Sequence, residues 1–212
     1  MADMILITKV DQLADMTKAK EYAEHLKGFV KSKNTTPIIF GKSVITPEAF
    51  DPNTGDMLSA EAAAAVVKGK KVLVIDDGPT LTHGGMKYGA GYVLAKQLGG
   101  DIVDPRPYAQ GSLKGMFAKF PHLENVLPAM GYDAEQVRDL EETIKATPCD
   151  AIVIGTPSDI THLFDVEKPF VGAKYELEVV KEHEDQFKEI LDSFYSRFVC
   201  HHADDHFGDK AA

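Results

Sequence analysis

The sequence lacks tryptophan and has only two cysteines, Cys149 and Cys200, among its 212 residues. At most one disulfide is possible, and a chain in a reducing compartment would keep both residues as thiols. No apolar run approaches the ~20 residues that a helix needs to span a bilayer. Asp3, Lys9 and Asp11 interrupt the apolar N-terminal stretch, so no secretory signal is visible. These absences predict a cytoplasmic protein without a membrane span.

Positive charge is also scarce, since 23 Lys+Arg face 33 Asp+Glu and the formal net charge is −10. Nucleic-acid binding needs clustered cations that displace counterions from the phosphate backbone, so the composition argues against a nucleic-acid partner. Hydrophobic residues make up 44% and charged residues 26% of the chain, as in an ordinary soluble globular protein. The length fits one domain, or one domain with a small appendage.

Short apolar, β-branched runs alternate with longer amphipathic or alanine-rich stretches. The runs predict strands at 4–8, 37–40, 72–75, 101–103, 151–154 and 170–173. The stretches between them predict helices at 15–31, 60–67, 89–98, 134–147 and 175–197, with Asp133 capping the fourth. Continuously apolar strands suit a parallel sheet that is covered on both faces. The alternation therefore predicts an α/β, three-layer domain with a mostly parallel sheet.

The stretch 42–69 is rich in proline, asparagine and glycine and is predicted to be a connection. It would divide a single domain over 1–198 into a first portion, 1–69, and a second portion, 70–198. Residues 199–212 have no apolar periodicity and are predicted to form a flexible tail.

Ligands in open parallel sheets collect beyond the carboxyl ends of the strands, so the loop after each predicted strand is a candidate site. Thr8-Lys9-Val10-Asp11 follows the first strand. Asp11 could accept two hydrogen bonds from a guanine base, while the Lys9 stem lies along the base and Thr8 steadies the loop. This is the [NT]-K-x-D pattern of P-loop GTPases. A solvated strand-to-helix turn is the alternative.

The loop 76–91, DDGPTLTHGGMKYGAG, follows the strand predicted at 72–75. Its backbone N–H groups could bind an anion, with Lys87 adding positive charge. Asp76 and Asp77 could hold a metal ion or act as a base. The other candidate ligand-binding residues of this loop are Gly78, Thr80, Thr82, His83, Gly84 and Gly85. A connecting loop with glycines for backbone freedom is the alternative.

Two further loops, at the ends of predicted strands, contain residues that could bind a ligand. In 104–112, DPRPYAQGS, two prolines stiffen the backbone around Arg106, which suits a guanidinium that meets a phosphate or carboxylate. The alternative is a salt-bridged surface turn. After the strand at 151–154, Gly155 and Thr156 begin a loop of small residues and hydroxyls that is predicted to touch a nucleotide base or phosphate.

Gly41-Lys42-Ser43 looks like the end of a phosphate-binding loop, G-x-x-x-x-G-K-[ST]. The position of the first glycine is Thr36, however, so we reject this interpretation, and the pattern occurs nowhere else in the sequence. The histidines near the end, at 201, 202 and 206, are interpreted as part of an acidic tail rather than as a metal site.

Several of these segments resemble the carboxy-terminal part of cyclic 2,3-diphosphoglycerate synthetase and its relatives, often labelled predicted GTPases. The segments are VLVIDDGPTLTHGGMKYGAG (72–91), DPRPYAQGS (104–112), LPAMGY (127–132), DLEETI (139–144) and DAIVIGTPSD (150–159). Segment 4–11 is similar to that family's strand and base-specificity turn, so the resemblance covers nearly the whole chain.

The resemblance implies a P-loop-type fold and an ATP- or GTP-driven reaction, with Mg²⁺, on a small phosphorylated anion. Lys9 and Asp11 would face the nucleotide base, while His83, Lys87 and Arg106 would line the phosphate or substrate side. Family members carry a phosphate-binding loop in an amino-terminal region ahead of this segment.

We therefore expect this chain to be the carboxy-terminal part of a nucleotide-dependent enzyme, inactive alone. It would need the missing amino-terminal region or a P-loop-bearing partner chain. We also expect the chain to associate with a protein partner or to form a homo-oligomer. A non-catalytic α/β scaffold subunit of a larger assembly is the alternative. A third interpretation is a stand-alone binder or metal-independent enzyme that uses only the loops 76–91 and 104–112.

Overall fold

The computed structural model describes residues 4–10, 16–29, 36–51, 54–123, 125–129, 133–157, 160 and 168–203. The strands are β1 (Ile5–Ile7), β2 (Ile38–Glu48), β3 (Lys71–Asp77), β4 (Asp101–Ile102), β5 (Leu127–Ala129), β6 (Ala151–Gly155) and β7 (Phe170–Val179). The helices are α1 (Met16–Phe29), α2 (Ala60–Val67), α3 (Gly78–Thr82), α4 (Ala90–Gln97), α5 (Ser112–Lys119), α6 (Ala134–Ala146) and α7 (Glu184–Ala203).

Backbone contacts divide the chain into two compact units. The terminal unit consists of Met1–Val44 and Glu176–Ala212, and the central unit consists of Ile45–Tyr175. This division differs from the predicted portions 1–69 and 70–198, and a single domain over 1–198 stays a prediction. None of the helices in the described ranges is long and apolar enough to cross a membrane.

Strand β3 organises the central unit. It pairs in parallel with β4, β5 and β6, and β6 pairs in parallel with β7. In this register, Asp76 at the end of β3 lies beside Gly155 at the end of β6. The predicted parallel sheet is therefore confirmed, and it brings the loops after β3 and β6 to one edge.

The two faces of β3 belong to two different apolar cores. Val72 and Val74 pack into a cluster that includes residues of α2 and α4. Leu73 and Ile75 point the opposite way and pack into a cluster with residues of α5 and α6. All four side chains are fully buried, because successive residues of a strand alternate between faces and both faces carry helices. The predicted three-layer α/β arrangement is confirmed.

In the terminal unit, the start of β2 pairs in parallel with β1. This unit has a smaller apolar core of its own. The described members of this core are Val10, Ala19, Ala23, Phe40 and Val180. The Phe40 N–H donates to His183 Nδ1 at 2.9 Å, and the two rings stack with centroids 5.1 Å apart.

Most predicted elements are confirmed with shifts of a few residues. The helix predicted at 60–67 is α2, and the fourth predicted helix is α6. The Asp133 side chain caps α6 as predicted, accepting the Gln136 N–H at 2.9 Å.

Two sequence predictions are wrong in part. The helix predicted from 175 begins only at Glu184, because β7 continues to Val179 with apolar side chains alternating at Tyr175 and Leu177. Strand β2 continues to Glu48, so 42–48 is strand rather than connection. Helix α7 continues to Ala203 and so overlaps the segment 199–212, whose flexibility stays a prediction. The short elements α3, α5 and β5 were not predicted.

Candidate functional site

Asp76 anchors the glycine-rich loop to the end of β3. Its side chain is fully buried, and its two carboxylate oxygens accept the N–H groups of Gly89 and Gly91, each at 2.7 Å. Burial raises the pKa of Asp76, and the backbone hydrogen bonds offset only part of that increase. The Asp76 carboxylate therefore holds both ends of the loop together. The sequence had predicted Asp76 as a metal ligand or a base.

Three glycines, Gly89, Gly91 and Gly155, are required by their closeness to Asp76. A Cβ at Gly155 would overlap Asp76 Oδ1, and a Cβ at Gly91 would lie 2.8 Å from the same oxygen. Gly155 was predicted to touch a ligand, and the structure places it against this carboxylate, beneath the loop.

The polar side chains at the start of the loop form hydrogen bonds with other groups of the same loop. Asp77 caps α3, accepting the Thr80 N–H at 3.0 Å and the Thr80 hydroxyl at 2.6 Å. The Thr82 hydroxyl donates to the Gly78 carbonyl at 2.9 Å and lies 3.2 Å from His83 Nδ1. These bonds give the segment a defined shape before any ligand arrives.

The tip of the loop is exposed and carries the loop's lysine, Lys87. A Cβ at Gly84 would overlap the Thr80 carbonyl oxygen, and Gly85 has a φ of +64°, which favours glycine. His83 and Lys87 are exposed on either side of these glycines. The loop therefore presents an imidazole and an ammonium group to solvent from a constrained backbone.

A cavity of about 470 Å³ lies in the central unit, next to the end of β6. Its lining comes from the ends of β2 and β6 and the first half of β7: Glu48, Phe50, Ile154, Thr156, Pro157, Ile160, Phe170, Gly172, Ala173, Lys174 and Tyr175. Burial raises the pKa of the Tyr175 phenol, and the negative charges of Asp76 and Asp77 raise it further. The cavity therefore lies within electrostatic reach of the start of the glycine-rich loop.

The predicted Arg106 loop folds as a turn closed by its own ion pair. Arg106 donates from Nε to Asp104 Oδ1 at 2.8 Å and from Nη2 to Asp104 Oδ2 at 2.7 Å. These hydrogen bonds hold the pKa of Asp104 below its usual value. At the other end of the turn, Asp139 accepts the N–H and hydroxyl of Ser112, at 2.8 and 2.7 Å. The salt-bridged surface turn is thus the geometry observed, and a role for Arg106 in anion binding stays a prediction.

The predicted base-specificity turn belongs to the terminal unit. Thr8 and Lys9 are exposed, and Lys9 has a φ of +61°. Asp11, Ser158 and Asp159 lie outside the described residues, as does the chain beyond Ala203. Guanine binding by this turn stays a prediction.

The described residues do not assemble a metal centre. No group of three His, Cys, Asp or Glu side chains suited to a metal ion occurs among them. Asp76 and Asp77 already accept hydrogen bonds from the loop backbone. Because Mg²⁺ is commonly bound by one or two carboxylates together with waters and substrate phosphates, a role for Asp76 and Asp77 in metal binding stays a prediction.

Sequence reasoning missed most of the cavity wall. Glu48, Phe50, Phe170 and Tyr175 were not singled out, although Thr156 was. The available signal was the period-2 alternation that continues β7 past residue 173. It would have placed Tyr175 on a strand beside the loop after β6.

Comparisons with known proteins give one informative relative. No family model matches the sequence, and no solved structure matches it. The chain is similar to a synthetase. It is 43% identical over 196 residues to arginine synthetase ArcE of Thermococcus kodakarensis, a match that covers 91% of this chain. The chain spans only 39% of that relative's length. The specific resemblance to cyclic 2,3-diphosphoglycerate synthetase stays a prediction.

Proposed function

We propose that this chain is the carboxy-terminal part of a nucleotide-dependent ligase that acts on a small phosphorylated anion. The observation that carries the ligase part of the proposal is the 43% identity to an arginine synthetase over 91% of this chain. The phosphorylated anion follows from the resemblance of the loops at 76–91 and 104–112 to those of cyclic 2,3-diphosphoglycerate synthetase. The constrained loop beyond β3 supports it, because enzymes that transfer phosphoryl groups work mainly by positioning and by stabilising charge with preorganised groups.

The residues of this chain would contribute substrate binding and electrostatics. Lys87 and His83, on the constrained loop tip, would contact the anionic oxygens of the substrate. Arg106 would contribute a second cation after exchanging part of its pairing with Asp104. Thr156, at the cavity, would donate or accept a hydrogen bond to an uncharged part of the ligand.

The nucleotide phosphates would be held outside this segment. The sequence contains no G-x-x-x-x-G-K-[ST] pattern, whose backbone N–H groups and lysine hold nucleotide phosphates. ATP or GTP with Mg²⁺ therefore belongs to a P-loop-bearing partner chain or amino-terminal region in this proposal, and we derive no step through it. A cytoplasmic location is part of the same proposal.

Calorimetric titration of the full chain tests the binding part of this function. We expect 2,3-diphosphoglycerate to bind the chain alone, and ATP or GTP with Mg²⁺ to bind once a P-loop-bearing partner is added. Lys87→Ala and Arg106→Ala should each weaken binding of the anion by roughly 1–3 kcal/mol, since each removes a charge-assisted hydrogen bond. Lys114→Ala, at an exposed position of α5, is the matched control and should leave the affinity unchanged.

The outcomes separate the proposed enzyme from a scaffold. Unchanged anion affinity in both loop variants would remove those residues from the site. A stable complex with a P-loop-bearing chain that shows neither anion binding nor nucleotide hydrolysis would contradict the ligase and indicate the scaffold subunit.

A further inference from the structure

The chain on either side of Lys87 is held at defined points of the glycine-rich loop. On one side, Gly85 lies in the left-handed region with a φ of +64°. On the other side, the Gly89 N–H donates to the Asp76 carboxylate at 2.7 Å. The three residues 86–88 lie between these points and are exposed. What holds this short exposed stretch therefore decides where the Lys87 ammonium group lies.

One contact of the exposed stretch leads back to the core of the central unit. The Tyr88 ring stacks on the Tyr92 ring, with the ring centroids 4.4 Å apart and the ring planes inclined by 22°. Tyr92 lies on α4, is half-buried, and packs against the apolar cluster that contains Val72 and Val74. A pair of aromatic rings stabilises a contact beyond the apolar area that it buries. The ring pair thus ties the residue next to Lys87 to the core.

A third side chain lies against the Tyr92 ring. Lys96 Nζ is 5.7 Å from the centroid of that ring, within the range of a cation–π interaction. Tyr92 and Lys96 are four residues apart on α4, so they lie on one face of the helix, and Tyr88 comes four residues before Tyr92. The contacts therefore form one row, which runs from the helix out to the tip of the loop.

We propose that Tyr92 is a positioning residue of the anion site, which holds Lys87 in its binding orientation through the stack on Tyr88. The inference rests on the proposed function, in which Lys87 contacts the anionic oxygens of the substrate. Neither ring touches the anion in this arrangement. A cation that is already held in place loses less conformational entropy on binding than one on a mobile segment, so the ring pair raises the affinity for the anion.

Calorimetric titration of the full chain with 2,3-diphosphoglycerate tests this role. Tyr92→Leu keeps an apolar side chain against the core but removes the stack, and it should weaken anion binding about twofold to tenfold, the range that an aromatic pair supplies. Tyr92→Phe keeps the ring and should bind the anion as tightly as the unaltered chain. Tyr195→Leu, at an exposed tyrosine of α7, is the control and should have no effect. An unchanged affinity in Tyr92→Leu, or equal losses in the leucine and phenylalanine variants, would overturn the proposal.

A double-mutant cycle with Lys87→Ala separates positioning from general damage to the site. If Tyr92 acts through Lys87, Tyr92→Leu should weaken anion binding in the unaltered chain but have little further effect in the chain that carries Lys87→Ala. Equal losses in the two backgrounds would contradict the proposal, because the effect would then not pass through Lys87.

NMR relaxation of the backbone amides of 86–88 tests the stack without any ligand. Tyr92→Leu should lower the order parameters of these amides, whereas Tyr92→Phe should leave them unchanged. Tyr88→Leu breaks the same stack from the exposed side and replaces Tyr92→Leu if that variant does not fold. Unchanged order parameters would overturn the role of the ring pair alone. Absence of anion binding by the unaltered chain would instead overturn the proposed function, and with it this role, so the two failures are distinguishable.

Discussion

The glycine-rich loop after β3 and the Arg106 turn after β4 carry similar sequence signals but are held by different forces. Both follow a parallel strand of the central unit, and both place a cation among residues that shape the backbone. The loop is anchored by Asp76, a carboxylate fully removed from water that binds two backbone N–H groups. The turn is closed by Asp104 and Arg106, whose ion pair lies at the surface.

This difference has an energetic meaning. An unsatisfied buried carboxylate or N–H group is expensive, so the loop around Asp76 keeps one arrangement. A surface ion pair contributes little to stability, because water solvates both partners in its absence. Lys87 therefore lies on a constrained backbone. Arg106, in contrast, can exchange Asp104 for a ligand at a small cost in free energy.

The strongest test of the buried anchor is Gly155→Ala. The new methyl group would overlap Asp76 Oδ1 and the Gly91 N–H, both of which are fixed by the hydrogen bonds of the loop. We expect the free energy of unfolding to fall by about 3 kcal/mol, measured by urea denaturation.

Gly115→Ala is the matched control for that substitution. Nothing lies within 4 Å of a Cβ at Gly115, inside helix α5. Alanine there should raise the stability by about 0.5–1 kcal/mol, because glycine is a poor helix former. If both variants lost stability equally, close packing at Asp76 would not be the cause.

A smaller effect is expected from Asp76→Asn, and it should depend on pH. The amide keeps one acceptor oxygen but turns an NH₂ group towards the second N–H donor, so we expect a loss of about 1–3 kcal/mol. The raised pKa of Asp76 means that the folded state holds this proton more tightly than the unfolded state. The stability that protonated Asp76 contributes is present below pH 3.8, the ordinary pKa of aspartate. It is lost as the pH rises through the raised pKa of the folded state.

Urea denaturation of both proteins from pH 3.5 to 7 measures this dependence. The stability advantage of the unaltered chain over Asp76→Asn should shrink as the pH increases. An advantage that grew with pH would show that the backbone hydrogen bonds, rather than burial, dominate the ionisation of Asp76.

The smallest effect on stability is expected from Arg106→Ala. The exposed pair with Asp104 should contribute no more than about 0.5 kcal/mol at neutral pH. Because Arg106 lowers the pKa of Asp104, this contribution is present above the ordinary aspartate value and is lost as the pH falls through the lowered one. Denaturation at pH 7 and pH 3 measures it, and a loss comparable with that of Gly155→Ala would erase the distinction between the two loops.

Much of the fold could be predicted because its signals are local. The continuous run Val72–Ile75 indicated a strand buried on both faces, and Asp133 indicated where α6 begins. Helix α3 was missed because its five residues, GPTLT, are too few to show a period, and Asp77 caps it from within the loop. The start of β7 was recognised, but its second half alternates polar and apolar residues and was interpreted as helix.

The sequence predicted where the candidate site lies better than it predicted what each residue of the site does. The sequence indicated that 76–91 follows a buried strand, but it could not show that Asp76 turns inward to its own loop. The orientation of the Asp76 side chain depends on Gly155, which is distant in the sequence but adjacent in the sheet. The cavity wall depends in the same way on β2, β6 and β7 coming together.

By itself, the sequence determined the α/β class, the layered core and the two cation-bearing loops, because periodicity, apolar runs and capping residues act over a few neighbouring positions. Only the tertiary structure decided which carboxylate is buried, which is paired at the surface and which aromatic rings share a cavity. These depend on desolvation and on contacts between residues far apart in the chain, which no local pattern records.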